Sequence, residues 1–215
     1  MARNRHALAA NPAGPRHKAA KRGWAGVDFS GDAVQVARQL IGKQLLIDGV
    51  GGIIVETEAY DEGEAASHAF TGQSASNAAL FGPPGRAYVY LSYGLHWCLN
   101  LVCREAGHGA GVLIRALEPT SGIAVMKRRR GLSDIRLLCS GPGRLGEALA
   151  VTTRFNGMRI NAPPFQLKRS AQFPRILRGK RIGITKAPER LWRFGLSGSL
   201  FLSRPFGKPA KDRAQ

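Results

Sequence analysis

The stretch QLLIDGVGGIIVETEAY, Gln44 to Tyr60, decides how the rest of the chain is read. Two apolar runs flank a Gly-rich turn, the pattern of two strands joined tightly. The second run ends in charge. Alternation puts Glu56, Glu58 and Tyr60 on one face and Val55, Thr57 and Ala59 on the other. Asp61, Glu62 and Glu64 follow, so five of the 14 acidic residues fall within nine positions of a chain that carries 32 Lys and Arg. Two carboxylates and a phenol on one strand face do not build a core. Solvent exposure suffices as the reading for Glu56. For Glu58 beside Tyr60 the reading is a cleft, because glutamate has low strand propensity and needs a reason to sit there. A carboxylate so placed suits a general base. It would repel a phosphate backbone unless it were aimed at a water molecule or a reacting sugar.

Outward from this strand pair, AVQVARQLIGK shows helical spacing with Asp32 as its N-cap. Residues 61–84 read as a polar loop closed by the turn FGPPG. RAYVYLSYGLHWCLNLVCRE reads as two strands with a turn near Gly94, and AGVLIRALEP as a further strand. TSGIAVMKRRRG reads as a helix, CSGPGRLGEALAV as a loop entering a helix, and RFGLSGSLFLSR as terminal strands. Strands linked mostly by hairpins, with helices interspersed, predict an α+β fold rather than a doubly wound sheet.

The totals set bounds. A chain of 215 residues fits one domain that can bury a core without disulfides or metals. No apolar run reaches the ~18 residues of a membrane-spanning helix, and the N-terminus lacks the apolar core of a signal peptide, which points away from secretion. Cys98, Cys103 and Cys139 are an odd number without CxxC spacing. They argue for a reducing compartment and against structural zinc or an iron–sulfur cluster, and read as small buried hydrophobes. The net charge of +18 points to a polyanionic partner, nucleic acid foremost. Residues 1–27 hold Arg3, Arg5, Arg16, Lys18, Lys21 and Arg22 and no acid, a second acid-free span runs from Ala148 to Pro188, and Lys127 to Arg130 form a third basic block. Three separate blocks exceed what solubility requires, and no strongly amphipathic basic helix supports a membrane surface instead. Residues 1–24 read as a disordered basic arm, residues 25–206 as the domain and 207–215 as a basic tail.

ETEAY, SHAF, FGPPGRAYVYLSYGLHWCLN, VLIRALEP and CSGPGRL, in that order, carry a resemblance to the alkyladenine (3-methyladenine) DNA glycosylase family. A weaker match resumes at RIGITKAPERLWRF. The resemblance implies a single α+β domain with a curved, mainly antiparallel sheet, a protruding β-hairpin and surrounding helices. It implies removal of alkylated or deaminated purines from double-stranded DNA after base flipping, by a monomer inside the cell that uses neither metal nor organic cofactor. Glu58 would deprotonate the attacking water and Arg115 would help position it. Tyr60 and Tyr90 would sandwich the extruded base, with His68 at its edge and Asn100 on the pocket floor. Tyr93 and Leu95 map onto the hairpin residues that enter the duplex, and Arg144, in SGPGRL at a helix start, would replace some of the phosphate grip, since helix N-termini and basic side chains both attract phosphate.

The match has departures. SASN, residues 74–77, stands where a TPRN-like segment is usual, so Ser76 replaces a basic phosphate contact. His96 stands where many relatives have an aromatic, and the loop between Tyr60 and His68 is one residue short. A non-catalytic binder of distorted DNA would keep the basic blocks and Tyr93 without needing Glu58. An RNA-binding protein of ribosomal type would share the basic arm without needing a Tyr, His and Glu pocket.

Overall fold

The computed structural model describes residues 24–169 and 174–207. The arm and tail expected at the two ends lie outside them, save Trp24 and Gly207 at the margins. The sheet is organised by the strand pair just quoted. Strands β1 (Gln44–Ile47) and β2 (Val50–Asp61) pair antiparallel, with Ile47 opposite Val50. Asp48 and Gly49 join them at φ 50° and 76°, the doubly positive geometry that matches the twist of a tight hairpin and favours Asp-Gly. Strand β3 (Ala87–Ser92), β4 (His96–Val102), β5 (Ala110–Ser121) and β6 (Phe165–Lys168) complete the order β3-β4-β5-β2-β1-β6. Two short strands, β7 (Ile176–Gly179) and β8 (Arg193–Leu196), form a further pair, and β8 also pairs with Glu56–Glu58 of β2. All of these pairings are antiparallel, and the sheet curls into a half-barrel. At Gly52 β2 runs too close to β5 for a side chain, since an added Cβ would stand 1.8 Å from the carbonyl oxygen of Glu118.

Four α-helices among the described residues close the domain. Helix α1 (Ala33–Leu40) begins where Asp32 accepts the Gln35 N–H at 2.8 Å, and it buries Val36, Ala37 and Leu40. Its Ala37 carbonyl accepts the Thr57 hydroxyl at 3.0 Å, which ties it to one face of β2. Helices α2 (Ile123–Arg130), α3 (Ile135–Leu138) and α4 (Pro142–Ala148) contribute Met126, Leu138 and Leu145 to the same core as Ile54, Leu99, Ile114 and Phe194. Gly146 lets α4 lie against β4, since a Cβ there would be 2.2 Å from the Trp97 carbonyl. The α+β class and the curled antiparallel sheet are as the sequence predicts. The hairpin tip between β3 and β4 is exposed, with Tyr93 87% and Leu95 74% accessible.

Three readings change. Alternation holds from Glu56 to Tyr60 but breaks at Val55, because the register against β5 shifts between Ile54 and Glu56 and again between Glu56 and Thr57. Val55 is the extra residue on β2 and Arg115 the extra residue on β5, so Ile54 joins the core beside Ala59 while Glu56 and Glu58 face away from it. Such paired bulges re-aim side chains, often next to active sites. Second, Glu56 is not on a solvent face: it is completely buried. Third, RFGLSGSLFLSR holds only β8. Beyond Leu196 the backbone turns, with the Ser197 N–H bonded to Arg175 and the Ser199 N–H to Leu196, and no strand follows as far as Gly207. Strands β6 and β7 and helix α3, of four residues each, have no sequence counterpart above because four residues are too few to show a period.

Candidate active site

Glu58 sits at the convergence of three segments. Its Oε2 accepts the Tyr60 hydroxyl at 2.8 Å and Nη1 of Arg115 at 3.2 Å, and its Oε1 accepts the Ile182 N–H at 2.7 Å. Tyr60 comes from the same strand, Arg115 from the bulge on β5, and Ile182 from the connection between β7 and β8. All three partners line a cavity of about 600 Å³, within the usual range for ligand sites. Glu58 itself is fully buried behind this lining and is not part of it.

The cavity is aromatic on one side. Tyr88 and Tyr90, two apart on β3, project to one face and stack with ring centroids 5.6 Å apart. His68 stands edge-on to Tyr90 at 4.3 Å, and its Nδ1 lies 3.1 Å from the Tyr88 hydroxyl. Burial lowers the His68 pKa, favouring the neutral ring, and pushes the Tyr88 phenol up to about 12. Burial first, then the neighbouring Glu58, raises the Tyr60 phenol, so Tyr60 is a hydrogen-bond donor across the ordinary pH range. Asn100 is buried opposite Tyr88 and donates to its carbonyl at 3.3 Å. Behind Tyr60, the Arg181 guanidinium lies 4.7 Å from the ring centroid.

The remaining acids of the cluster have partners of their own. Glu64 takes Arg181 through both oxygens at 2.5 and 2.7 Å, a pair with no solvent exposure. Glu56 accepts Nε of Arg193 at 2.6 Å and both the N–H and the hydroxyl of Ser203, at 2.6 and 2.9 Å. Asp61 and Glu62 hold the two ring nitrogens of His108, at 2.9 and 3.2 Å. The crowding of carboxylates is therefore mostly structural, and Glu58 is the member whose partners form a cavity wall. Among the described residues, no group of three or more His, Cys, Asp or Glu side chains is placed to hold a metal ion.

Of the residues singled out in the sequence, Tyr60, His68, Tyr90, Tyr93, Asn100 and Arg115 line this one cavity. Leu95 stands on the hairpin tip outside it, and Tyr93 on the rim adopts φ 51° beside Gly94 at 70°. Arg144 is exposed on α4 and donates to Ser140 at 3.0 Å. Ser76 is exposed too, 3.0 Å from the Ser74 hydroxyl, and His96 packs against Gly143 at the start of α4. Sequence reasoning missed Tyr88, Arg181 and the Ile182 N–H. Tyr88 was legible, since its spacing of two from Tyr90 puts it on the same face. The other two come from a stretch with no periodic pattern. Cys98, read as a core residue, also lines the cavity; all three cysteines are buried and unbridged.

Comparison with known proteins shows the family. A protein of Nitrosospira multiformis named "Putative 3-methyladenine DNA glycosylase" is 61% identical over 183 residues, 85% of this chain and 95% of the relative. Proteins with the same name in Rhodopseudomonas palustris and Rhizobium meliloti are each 56% identical, over 84% and 83% of this chain and 90% and 95% of theirs. The family model described as methylpurine-DNA glycosylase matches residues 27–200, which contain the cavity and every residue that lines it, and the chain belongs to that family.

Proposed function

We propose that the cavity receives a purine extruded from duplex DNA and that Glu58 activates the water that cleaves it from its sugar. Family membership makes the chain an N-glycosyl hydrolase acting on alkylated bases, an enzyme of base excision repair. The single observation behind the finer reading is the triple anchoring of Glu58 by Tyr60, Arg115 and the Ile182 N–H at the edge of an aromatic cavity. A purine alkylated on its ring carries positive charge, so it departs neutral as the glycosidic electron pair moves onto it. Water adds to the sugar C1′, and Glu58 takes the proton released. The carboxylate also stabilises the oxocarbenium-like sugar while the bond breaks. In the free protein the Tyr60 hydroxyl covers Oε2, so the water reaches Glu58 once the arriving nucleotide displaces that bond; empty sites commonly rearrange in this way.

Tyr90 and His68 form one wall for the base, and Tyr60, backed by Arg181, the other. Glu64 neutralises Arg181, so the charge behind Tyr60 does not repel a cationic base. Asn100 reaches the floor, where it crowds the 2-amino group of a normal guanine. Tyr93 and Leu95 fill the space vacated in the duplex, and the basic blocks supply the affinity for phosphate. Deaminated purines enter the same walls. The test is single-turnover release of free base from duplexes carrying 3-methyladenine, 7-methylguanine, hypoxanthine or etheno-adenine, against an undamaged duplex. Release of at least one alkylated base is expected. Tight binding without release would replace this reading with that of a non-catalytic binder.

A further inference from the structure

We infer that residues 183–186, in the connection between β7 and β8, grip the backbone phosphates beside the extruded nucleotide, with Lys186 as the charged contact. This rests on the reading of the cavity as the place where a nucleotide is extruded. The connection is held at both ends. Arg181 anchors its start to Glu64 and to the Ala59 carbonyl at 2.9 Å, and Ile182 anchors it to Glu58. Near its end, Arg190 lies over the Trp192 ring at 4.6 Å, and the Leu191 carbonyl accepts Nε of Arg178 at 2.9 Å. Between these anchors Gly183, at φ 74°, turns the chain away from Glu58, and Ile184, Thr185 and Lys186 continue along the cavity edge. Four residues thus lead from the carboxylate at the reaction centre to an exposed ammonium at the mouth.

The hairpin rim, with Ser92 and Tyr93, contributes no charged group to the cavity lining. A nucleotide with its C1′ beside Glu58 must bring its flanking phosphates across the mouth between these rims. Among the described residues that line the cavity, Arg115 and Lys186 are the permanent cations, and Arg115 is engaged by Glu56 and Glu58. Lys186 is therefore the lining group that meets the phosphates, and an ammonium on a tethered segment can do so without moving the base pocket.

The experiment compares the full chain with Lys186→Ala and, as control, Lys180→Ala, an exposed lysine of the same connection that is not part of the cavity lining. Affinity is measured across a salt series for two duplexes, one undamaged and one with a stable abasic analogue. Lys186→Ala should reduce the slope of log affinity against log salt by about 0.9 on the abasic duplex, the loss of one phosphate contact, and leave the undamaged slope unchanged. Lys180→Ala should not discriminate between the duplexes. An unchanged slope on the abasic duplex, or an equal loss on both, overturns the inference. Release of alkylated base by the wild-type chain, assayed alongside, tests the underlying reading separately. If no base is released that reading falls, whatever the slopes show.

Discussion

Glu56 and Glu58 lie two residues apart on one face of one strand and share Arg115, yet they occupy opposite kinds of site. The Glu56 end of β2 is closed. Arg193 arrives from β8 and Ser203 from the irregular segment beyond it, and together they occupy both oxygens. The Glu58 end is bounded by Tyr60, Arg115 and Ile182, each of which also faces the cavity. Chemical identity and strand position are the same at both ends. What differs is whether the groups covering the carboxylate are themselves sealed or can be displaced by a substrate.

The comparison breaks first at the acids. Glu58→Gln should reduce single-turnover base release by about 10²–10⁴-fold, the usual loss for a general base, while affinity for damaged duplex stays near wild type. Glu56→Ala should do the reverse. It strips a buried Arg193 of its carboxylate, a change that costs about 3–5 kcal/mol of stability, yet the chemical step should survive wherever the protein remains folded. Chemical denaturation and base release, measured on both variants, decide the matter. Near-normal turnover by Glu58→Gln, or an equal loss of turnover in folded Glu56→Ala, would erase the distinction between the two ends.

A smaller effect sharpens the account of the open end. Tyr90 is part of the cavity wall, whereas Tyr93 projects from the rim into solvent. Loss of a stacked aromatic costs about 1–3 kcal/mol per base, so Tyr90→Ser should be defective on paired and bulged lesions alike. Tyr93→Ser should be defective mainly on paired lesions, because a bulged base needs less help to leave the stack. Single-turnover excision from both substrates checks this, and equal defects for Tyr93→Ser on the two would remove its wedge role.

The smallest effect is a pH dependence. Burial lowers the His68 pKa below its ordinary value of 6.5, with Tyr88 and Tyr90 as its ring neighbours. The unfolded chain then binds a proton that the folded chain resists. Stability from this site is complete above about 6.5 and declines as pH falls from there towards the lowered folded value. His68→Gln should flatten the dependence of thermal unfolding on pH across that window. An unaltered slope would mean that the imidazole is as solvated when folded as when unfolded.

Much of this arrangement was legible from local patterns. The N-cap at Asp32, the Asp48-Gly49 hairpin, the strands either side of Gly94 and the helices after Gly122 and Gly141 all formed where turn chemistry and periodicity placed them. Tyr60, Tyr90, Tyr93, His68, Asn100 and Arg115 were singled out through motifs that keep their order along the chain, whereas Tyr88 was not. Glu56 was misjudged, because strand alternation cannot show what will cover a face. Two of its partners, Arg193 and Ser203, lie 137 and 147 positions away.

By itself, the sequence determined the class of fold, the strand that carries the acids, the basic character that suits a polyanion and the family to which the chain belongs. Those properties depend on side-chain type, short-range spacing and total charge, all of which a linear string records. Only the tertiary structure decided that compensating bulges at Val55 and Arg115 interrupt the ladder beside the glutamates, so that Ile54 joins the core with Ala59. It alone brought the Ile182 N–H to Glu58 and paired Arg181 with Glu64, across 124 and 117 positions. Contacts at such separations are selected by how the curled sheet and its covering segments pack, and no local propensity encodes which distant group will arrive.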